Sequence, residues 1–132
     1  EFHPVFGLVD GFGGRADPFG GGGQFHKGID FEADIGDPVL AVADGVVSYS
    51  GVRSGYGNVV EVDHGNGYVT RYAHNSKLER QVGDLVRSGQ EIAKAGSSGR
   101  STGAHVHFEV WQDGAVVNPR KFLAVTSSGA HR

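Results

Sequence analysis

Alternation with a period of two, broken every few residues by glycine, is the pattern that most limits what this chain can become. The run "HVHFEVW" (residues 105–111) puts His105, His107 and Glu109 on one face of an extended segment and Val106, Phe108 and Val110 on the other. In a helix, His105 and His107 would point roughly 200° apart. No window of ten or more residues carries the 3.6-residue period. The 23 glycines among 132 residues are more than twice the usual share of roughly 7%. Apart from Gly20–Gly23 they are spread through the chain, as turns between short strands require. The expected class is therefore mainly β: an antiparallel sheet or sandwich of short strands joined by tight turns.

Strands are expected at "KGIDFEA", "PVLAVADGVVSYSGV", "NVVEVDH" and "YVTRYAH". Asn66-Gly67 and Asp113-Gly114 are hairpin signals, because both dipeptides accept the positive φ values of a two-residue turn. "SKLERQVGDLVRSGQEIAKAG" reads as a short helical turn followed by another strand pair. Two segments echo each other: Ile35-Gly36-Asp37-Pro38-Val39 and Val82-Gly83-Asp84-Leu85-Val86 share apolar-Gly-Asp-x-Val, and each precedes a strand ending in glycine. The expected organisation is an irregular lead-in with a glycine-rich surface loop over 1–25, one folded core over 26–123, and a small, polar, flexible tail over 124–132.

Composition removes several functions. A formal charge of −3 gives no long-range attraction to nucleic acid. With no cysteine, disulfides, thiolate chemistry and every cysteine-containing zinc set are excluded. No stretch approaches the roughly 18 apolar residues of a membrane span, and no targeting segment is visible, so an exported protein would carry its signal outside these residues.

What remains is an imidazole–carboxylate constellation. In "FHKGIDF", His26, Gly28 and Asp30 share one strand face, and the bare glycine leaves space above the strand. His26, Asp30 and one histidine of the His105/His107 pair make a two-histidine, one-carboxylate set. Three such ligands with a fourth position for water is the pattern of a catalytic zinc. His74 ends the run "RYAH", where a strand would give way to a loop and a catalytic group is often held. Glu109 shares the histidine face; orienting a ligand from behind and forming a plain surface ion pair are equally open to it. His64, before Gly65-Asn66-Gly67, reads as a surface residue. His-Glu-x-x-His, Gly-x-Ser-x-Gly and the phosphate-binding Gly-Lys-Ser/Thr loop are all absent. "GSSGRSTG" (residues 96–103) reads as a loop beside the site.

Taken in order, "GFGGRADP", "FHKGIDF", "VADGVV", "GYGNVVEVDHGNGYVTRYAH", "VGDLVRSGQEIAKAGSSGRSTGAHVHFEV" and "VNPRKFL" resemble the lysostaphin-type (LytM-like) zinc endopeptidases that cut bacterial peptidoglycan. The resemblance runs from about Gly11 to Leu123. It implies a narrow groove over an antiparallel sheet of the duplicated hybrid motif type, with one zinc ion per chain at its floor. It makes His26, Asp30 and His107 the metal ligands, and His74 and His105 the catalytic pair. It also implies export to the periplasm or cell envelope, peptidoglycan cross-links as partner, and a monomer. The wording of "DHGNGYVTRYAHNSK" and "GRSTGAHVHFEV" is closer to Gram-negative relatives, which implies the D-alanyl–diaminopimelate cross-link rather than pentaglycine. Two departures stand out: "FGGGGQF" replaces a bulkier segment of the cleft wall, and Asn75 stands where the family often has an apolar residue.

Two other function classes compete. Some relatives have lost ligands and activate other wall hydrolases, so the alternative is a zinc-bearing, non-catalytic wall-binding or amidase-activating module. The Gly-Asp-x-Val turns also echo biotinyl and lipoyl carriers, but no lysine stands at a hairpin tip. A cupin-like iron oxygenase would share the two-histidine, one-carboxylate set, and a test of metal identity and oxygen dependence separates it.

Overall fold

The structure, a computed structural model, describes residues 28–97 and 104–119. The strands are β1 (Ile29–Glu32), β2 (Pro38–Leu40), β3 (Gly45–Arg53), β4 (Gly57–Gly65), β5 (Tyr68–Leu78), β6 (Leu85–Val86), β7 (Glu91–Ala95), β8 (His105–Gln112) and β9 (Ala115–Val117). There is no helix among the described residues. Pairing is antiparallel and runs β1-β8-β5-β4-β3-β6; β9 pairs with β8, and β7 pairs with both β5 and β2.

Period-two alternation decides which face is inside. In β8, Val106, Phe108 and Val110 are buried in the hydrophobic core while His105 and His107 stay partly open on the other face. Phe108 packs against Tyr72 of β5 and Phe31 of β1, with ring centroids 5.5 and 6.4 Å away. Burying a side chain of this size contributes about 1.5–3 kcal/mol. The core thus fixes β8 between β1 and β5, and with it the height of the histidine face.

Both expected hairpins form. Asn66 and Gly67 have φ of 54° and 85°, and Asp113 and Gly114 have 53° and 83°, so both central residues of each turn are left-handed. The sequence echo is a structural repeat. Asp34 N–H donates to Asp37 Oδ2 at 2.9 Å, and Gln81 N–H donates to Asp84 Oδ2 at 2.8 Å. Gly36 N–H then donates to Ala95 O and Ala95 N–H to Asp37 O; Gly83 N–H donates to Val47 O and Val47 N–H to Asp84 O. One aspartate-closed turn, clamped in the same way to a neighbouring strand, occurs twice.

Two expectations are corrected. "PVLAVADGVVSYSGV" is not one strand: it divides into β2 and β3, because residues 41–44 leave β7 before the chain joins β4. Gly45 permits the close approach to β4, since a Cβ there would come within 2.7 Å of Val62 Cγ1 and 2.5 Å of Asp63 O. The short helical turn after His74 is absent: Lys77 and Leu78 stay extended and pair with Lys94 and Ala93 of β7.

Candidate active site

The site lies where the sheet forks. One edge of β5 pairs with β8 as far as Ala73, opposite His107, and from Asn75 onward with β7. His74 occupies the changeover. It is not at the end of its strand, which continues to Leu78. Along the opposite edge, Val60 faces Tyr72 and Asn58 faces Asn75, so three steps in β5 match two in β4. That extra residue is a bulge, and His74 in it has φ of 64°, a left-handed conformation rare in residues other than glycine. The bulge re-aims the side chain of His74 toward β8. Its ring centroid lies 5.0 Å from that of His105 and 6.0 Å from that of His107.

The bulge is held by amides. His74 N–H donates to Tyr56 O at 2.9 Å. The buried Asn75 donates through Nδ2 to Tyr72 O at 2.9 Å and to Asn58 O at 3.0 Å, while Asn58 Nδ2 donates to Asn75 O at 2.9 Å. The polar residue at 75 therefore supplies donors to carbonyls that the bulge takes out of the ladder.

Asp30 sits directly across the β1–β8 ladder from His107. Its Oδ1 is 2.7 Å from His107 Nδ1 and 3.5 Å from His105 Nε2. Burial pushes the Asp30 carboxyl up, but the hydrogen bond and charge of His107, with the charges of His105 and His74, hold it below its ordinary value. The other nitrogen of His107, Nε2, lies 2.8 Å from Glu109 Oε2. With a carboxylate at each nitrogen, His107 rises to about 9, against the opposing effect of burial.

Glu109 is 0% exposed, so the surface ion-pair reading does not hold. Its Oε1 accepts from Arg71 Nη1 at 3.1 Å and Trp111 Nε1 at 2.8 Å, and its Oε2 from Tyr56 Oη at 2.9 Å as well as His107. Burial alone would raise its pKa; the donors, His107 first, hold it down. Tyr56 and Arg71 lie within the resemblance segment "GYGNVVEVDHGNGYVTRYAH", but no site role follows from it; the fold brings them here. Gly28 is bare for a physical reason: a Cβ there would lie 2.8 Å from Glu109 Cγ and 3.0 Å from His107 Cε1.

His64, read as a surface residue, is half-buried away from this site, with Nδ1 on Asp44 O and Nε2 on Thr70 Oγ1. His26, the glycine run at 20–23 and most of "GSSGRSTG" lie outside the described residues. Among the described residues no group of three or more His, Cys, Asp or Glu side chains is gathered for a metal. The described part supplies two facing donors, Asp30 Oδ1 and His107 Nδ1, with a carboxylate behind the ring. That chemistry fits zinc, which takes nitrogen and oxygen ligands whose histidines are commonly braced from behind.

Residues 24–119 match Peptidase family M23. The chain belongs to that family. Among curated M23 relatives, the DD-carboxypeptidase/endopeptidase Mpg of Neisseria meningitidis is 46% identical over 108 residues, 82% of this chain and 25% of that protein. The peptidoglycan DD-endopeptidase ShyC of Vibrio cholerae is 39% identical over 106 residues, 80% of this chain and 24% of that one. The chain thus spans about a quarter of these relatives. The catalytic domain of the antimicrobial peptidase lysostaphin from Staphylococcus simulans superposes with a TM-score of 0.79 at 30% identity, over 92% of this chain and 99% of that domain. A zinc-containing peptidase from Vibrio cholerae gives 0.65 at 44% identity, over 70% of this chain and 28% of that one. The β-sheet architecture and the lysostaphin-type resemblance read from the sequence both hold for this M23 domain.

Proposed function

We propose that this M23 domain is a zinc-dependent endopeptidase of the bacterial cell envelope that hydrolyses peptide cross-links of peptidoglycan, acting on the D-alanyl–diaminopimelate bond. His26, Asp30 and His107 would hold one zinc ion, and His74 and His105 would move protons. The observation that carries the reading is the juxtaposition of two pairs on one sheet face: Asp30 with His107, 2.7 Å apart, and His74 with His105, centroids 5.0 Å apart. The zinc-containing peptidase structure and the relatives named as endopeptidases of the DD type support it.

Zinc, when bound, supplies a Lewis acid that polarises a scissile carbonyl and lowers the pKa of water toward about 7. The chain's own groups then divide the remaining work. Glu109 cannot serve as the base, because four donors occupy its two oxygens and water does not reach it. Asp30 is engaged by His107. Proton transfer falls to the two imidazoles at the fork, one taking the proton of water and the other steadying the oxyanion or protonating the leaving amine. Such help is worth about 10²–10⁴-fold in rate.

The test is a digest of diaminopimelate-type and pentaglycine-type sacculi, with and without chelator, read by mass spectrometry. Chelator-sensitive release of fragments cut at D-alanyl–diaminopimelate is expected. Cleavage of pentaglycine alone would overturn the bond assignment. Zinc binding with no cleavage of either wall would favour the non-catalytic wall-binding or amidase-activating module.

A further inference from the structure

We propose that Glu109 is the positioning residue of this site: from beneath the histidine face it holds His107 by Nε2, so that Nδ1 is the nitrogen presented beside Asp30. The inference rests on the zinc-site reading above and adds to it a residue that touches neither metal nor substrate.

An imidazole on a strand can rotate and exchange its two nitrogens. A carboxylate accepts only, so the Nε2 that faces Glu109 Oε2 at 2.8 Å carries a hydrogen. Nδ1 faces a carboxylate in the same way, 2.7 Å from Asp30 Oδ1, but Glu109 is buried beneath its donors whereas Asp30 is about a third exposed, so Nδ1 is the nitrogen that a cation can reach in place of a proton. Glu109 thereby selects the ring orientation of His107, and with it the nitrogen that faces the open side of the site.

A buried carboxylate is itself unstable in place unless its charge and lone pairs are met. Here the donors come from different parts of the fold. Tyr56 reaches in from the β3–β4 connection, Arg71 from β5 and Trp111 from β8. Arg71 is held in turn by Glu61 of β4, with Nε 2.7 Å from Oε2, and Glu61 also takes Arg53 Nε of β3 at 3.1 Å. Charges alternate along Arg53, Glu61, Arg71, Glu109, His107 and Asp30, so the bracing crosses five strands.

An internal ion pair serving stability alone would need only Arg71 and Glu109. One feature goes further: an oxygen of Glu109 is turned to His107 rather than to Arg71.

Zinc affinity, measured by competition with a chelator at fixed pH, tests this directly. Thermal unfolding of the chelator-treated protein is followed alongside, so that loss of affinity is separated from loss of fold. Glu109→Gln is expected to bind zinc about 10- to 100-fold more weakly while still unfolding cooperatively. Lys94→Ala, whose ion pairs with Glu91 and Glu79 lie outside this charge chain, should stay within twofold of wild type. Glu109→Asp keeps the charge while withdrawing the oxygen from Nε2; it is expected to weaken zinc in the same direction, and it carries the test if Glu109→Gln does not fold. Zinc binding within twofold of wild type by a folded Glu109 variant would overturn the inference alone. Failure of the wild-type protein to bind zinc would overturn the site reading with it.

Discussion

His74 and His105 face each other, ring centroids 5.0 Å apart, across the point where β5 exchanges β8 for β7. Neither strand alone produces that meeting. His105 is carried by regular alternation, with its backbone N–H bonded to Gly96 O of the chain leaving β7. His74 is carried by an irregularity, a left-handed residue in a bulge. Such a backbone typically costs about 1–3 kcal/mol and persists only where the surroundings impose it.

Separation of metal holding from proton transfer is the first expectation. His107→Ala should lose zinc occupancy. His74→Ala should keep the metal and lose most of the rate, by about 10²–10⁴-fold. Metal analysis beside turnover on sacculi checks both. Equal metal loss in the two variants would mean that His74 is misassigned.

Asn75 is expected to matter through His74. Asn75→Ala removes the donor that serves Tyr72 O and Asn58 O inside the bulge. Buried carbonyls left unpaired cost about 1–3 kcal/mol. The expected result is a lower Tm together with a fall in kcat larger than any change in KM, because the imidazole it steadies moves protons rather than binds substrate. Unchanged kcat in a destabilised Asn75→Ala protein would confine the residue to a structural role.

Gly28→Ala adds one methyl where Glu109, His107 and the Phe108 carbonyl already crowd the strand. Overpacking of this kind typically costs about 1–3 kcal/mol. Denaturant unfolding of the metal-free protein should show the loss, and zinc affinity should fall with it. A stable Gly28→Ala protein with wild-type affinity would mean that the β1–β8 contact relaxes freely.

Acid sensitivity is expected from His64. Val42 N–H donates to Tyr72 Oη, which shares a hydrogen bond with Thr70 Oγ1 at 2.8 Å; Thr70 Oγ1 lies 2.7 Å from His64 Nε2, and Nδ1–H donates to Asp44 O. A neutral imidazole suits both partners, with Nδ1–H on Asp44 O and Nε2 accepting from Thr70. Protonation would turn Nε2 from acceptor to donor and reverse its hydrogen bond with Thr70 Oγ1. Burial, against the Asp44 carbonyl and the Asp63 and Asp44 charges, lowers the His64 pKa below its ordinary 6.5. The unfolded chain therefore binds this proton first: the contribution is whole above about 6.5 and is lost as pH falls, at up to about 1.4 kcal/mol per pH unit. Between pH 7 and 5 the wild-type Tm should drop more steeply than that of His64→Gln. Parallel pH profiles would remove His64 as the sensor.

The sequence alone determined the local and periodic features. Alternation in "HVHFEVW" placed Val106, Phe108 and Val110 inward and the histidines outward, since strand side chains have no other choice. Asn66-Gly67 and Asp113-Gly114 fixed two hairpins, and the Gly-Asp echo marked a repeated turn, because each rests on the φ of one or two neighbouring residues. Gly28 was legible as a bare position, although not what it clears. Tertiary structure decided everything that depends on which strands meet. It turned His74 from a strand end into a bulge at a fork, and it divided the run from Pro38 to Val52 between two partners. It also buried Glu109 under four donors and drew His64 into a hydrogen-bonded chain. Those outcomes follow from cross-strand register, and register is set by the whole core rather than by any segment of it.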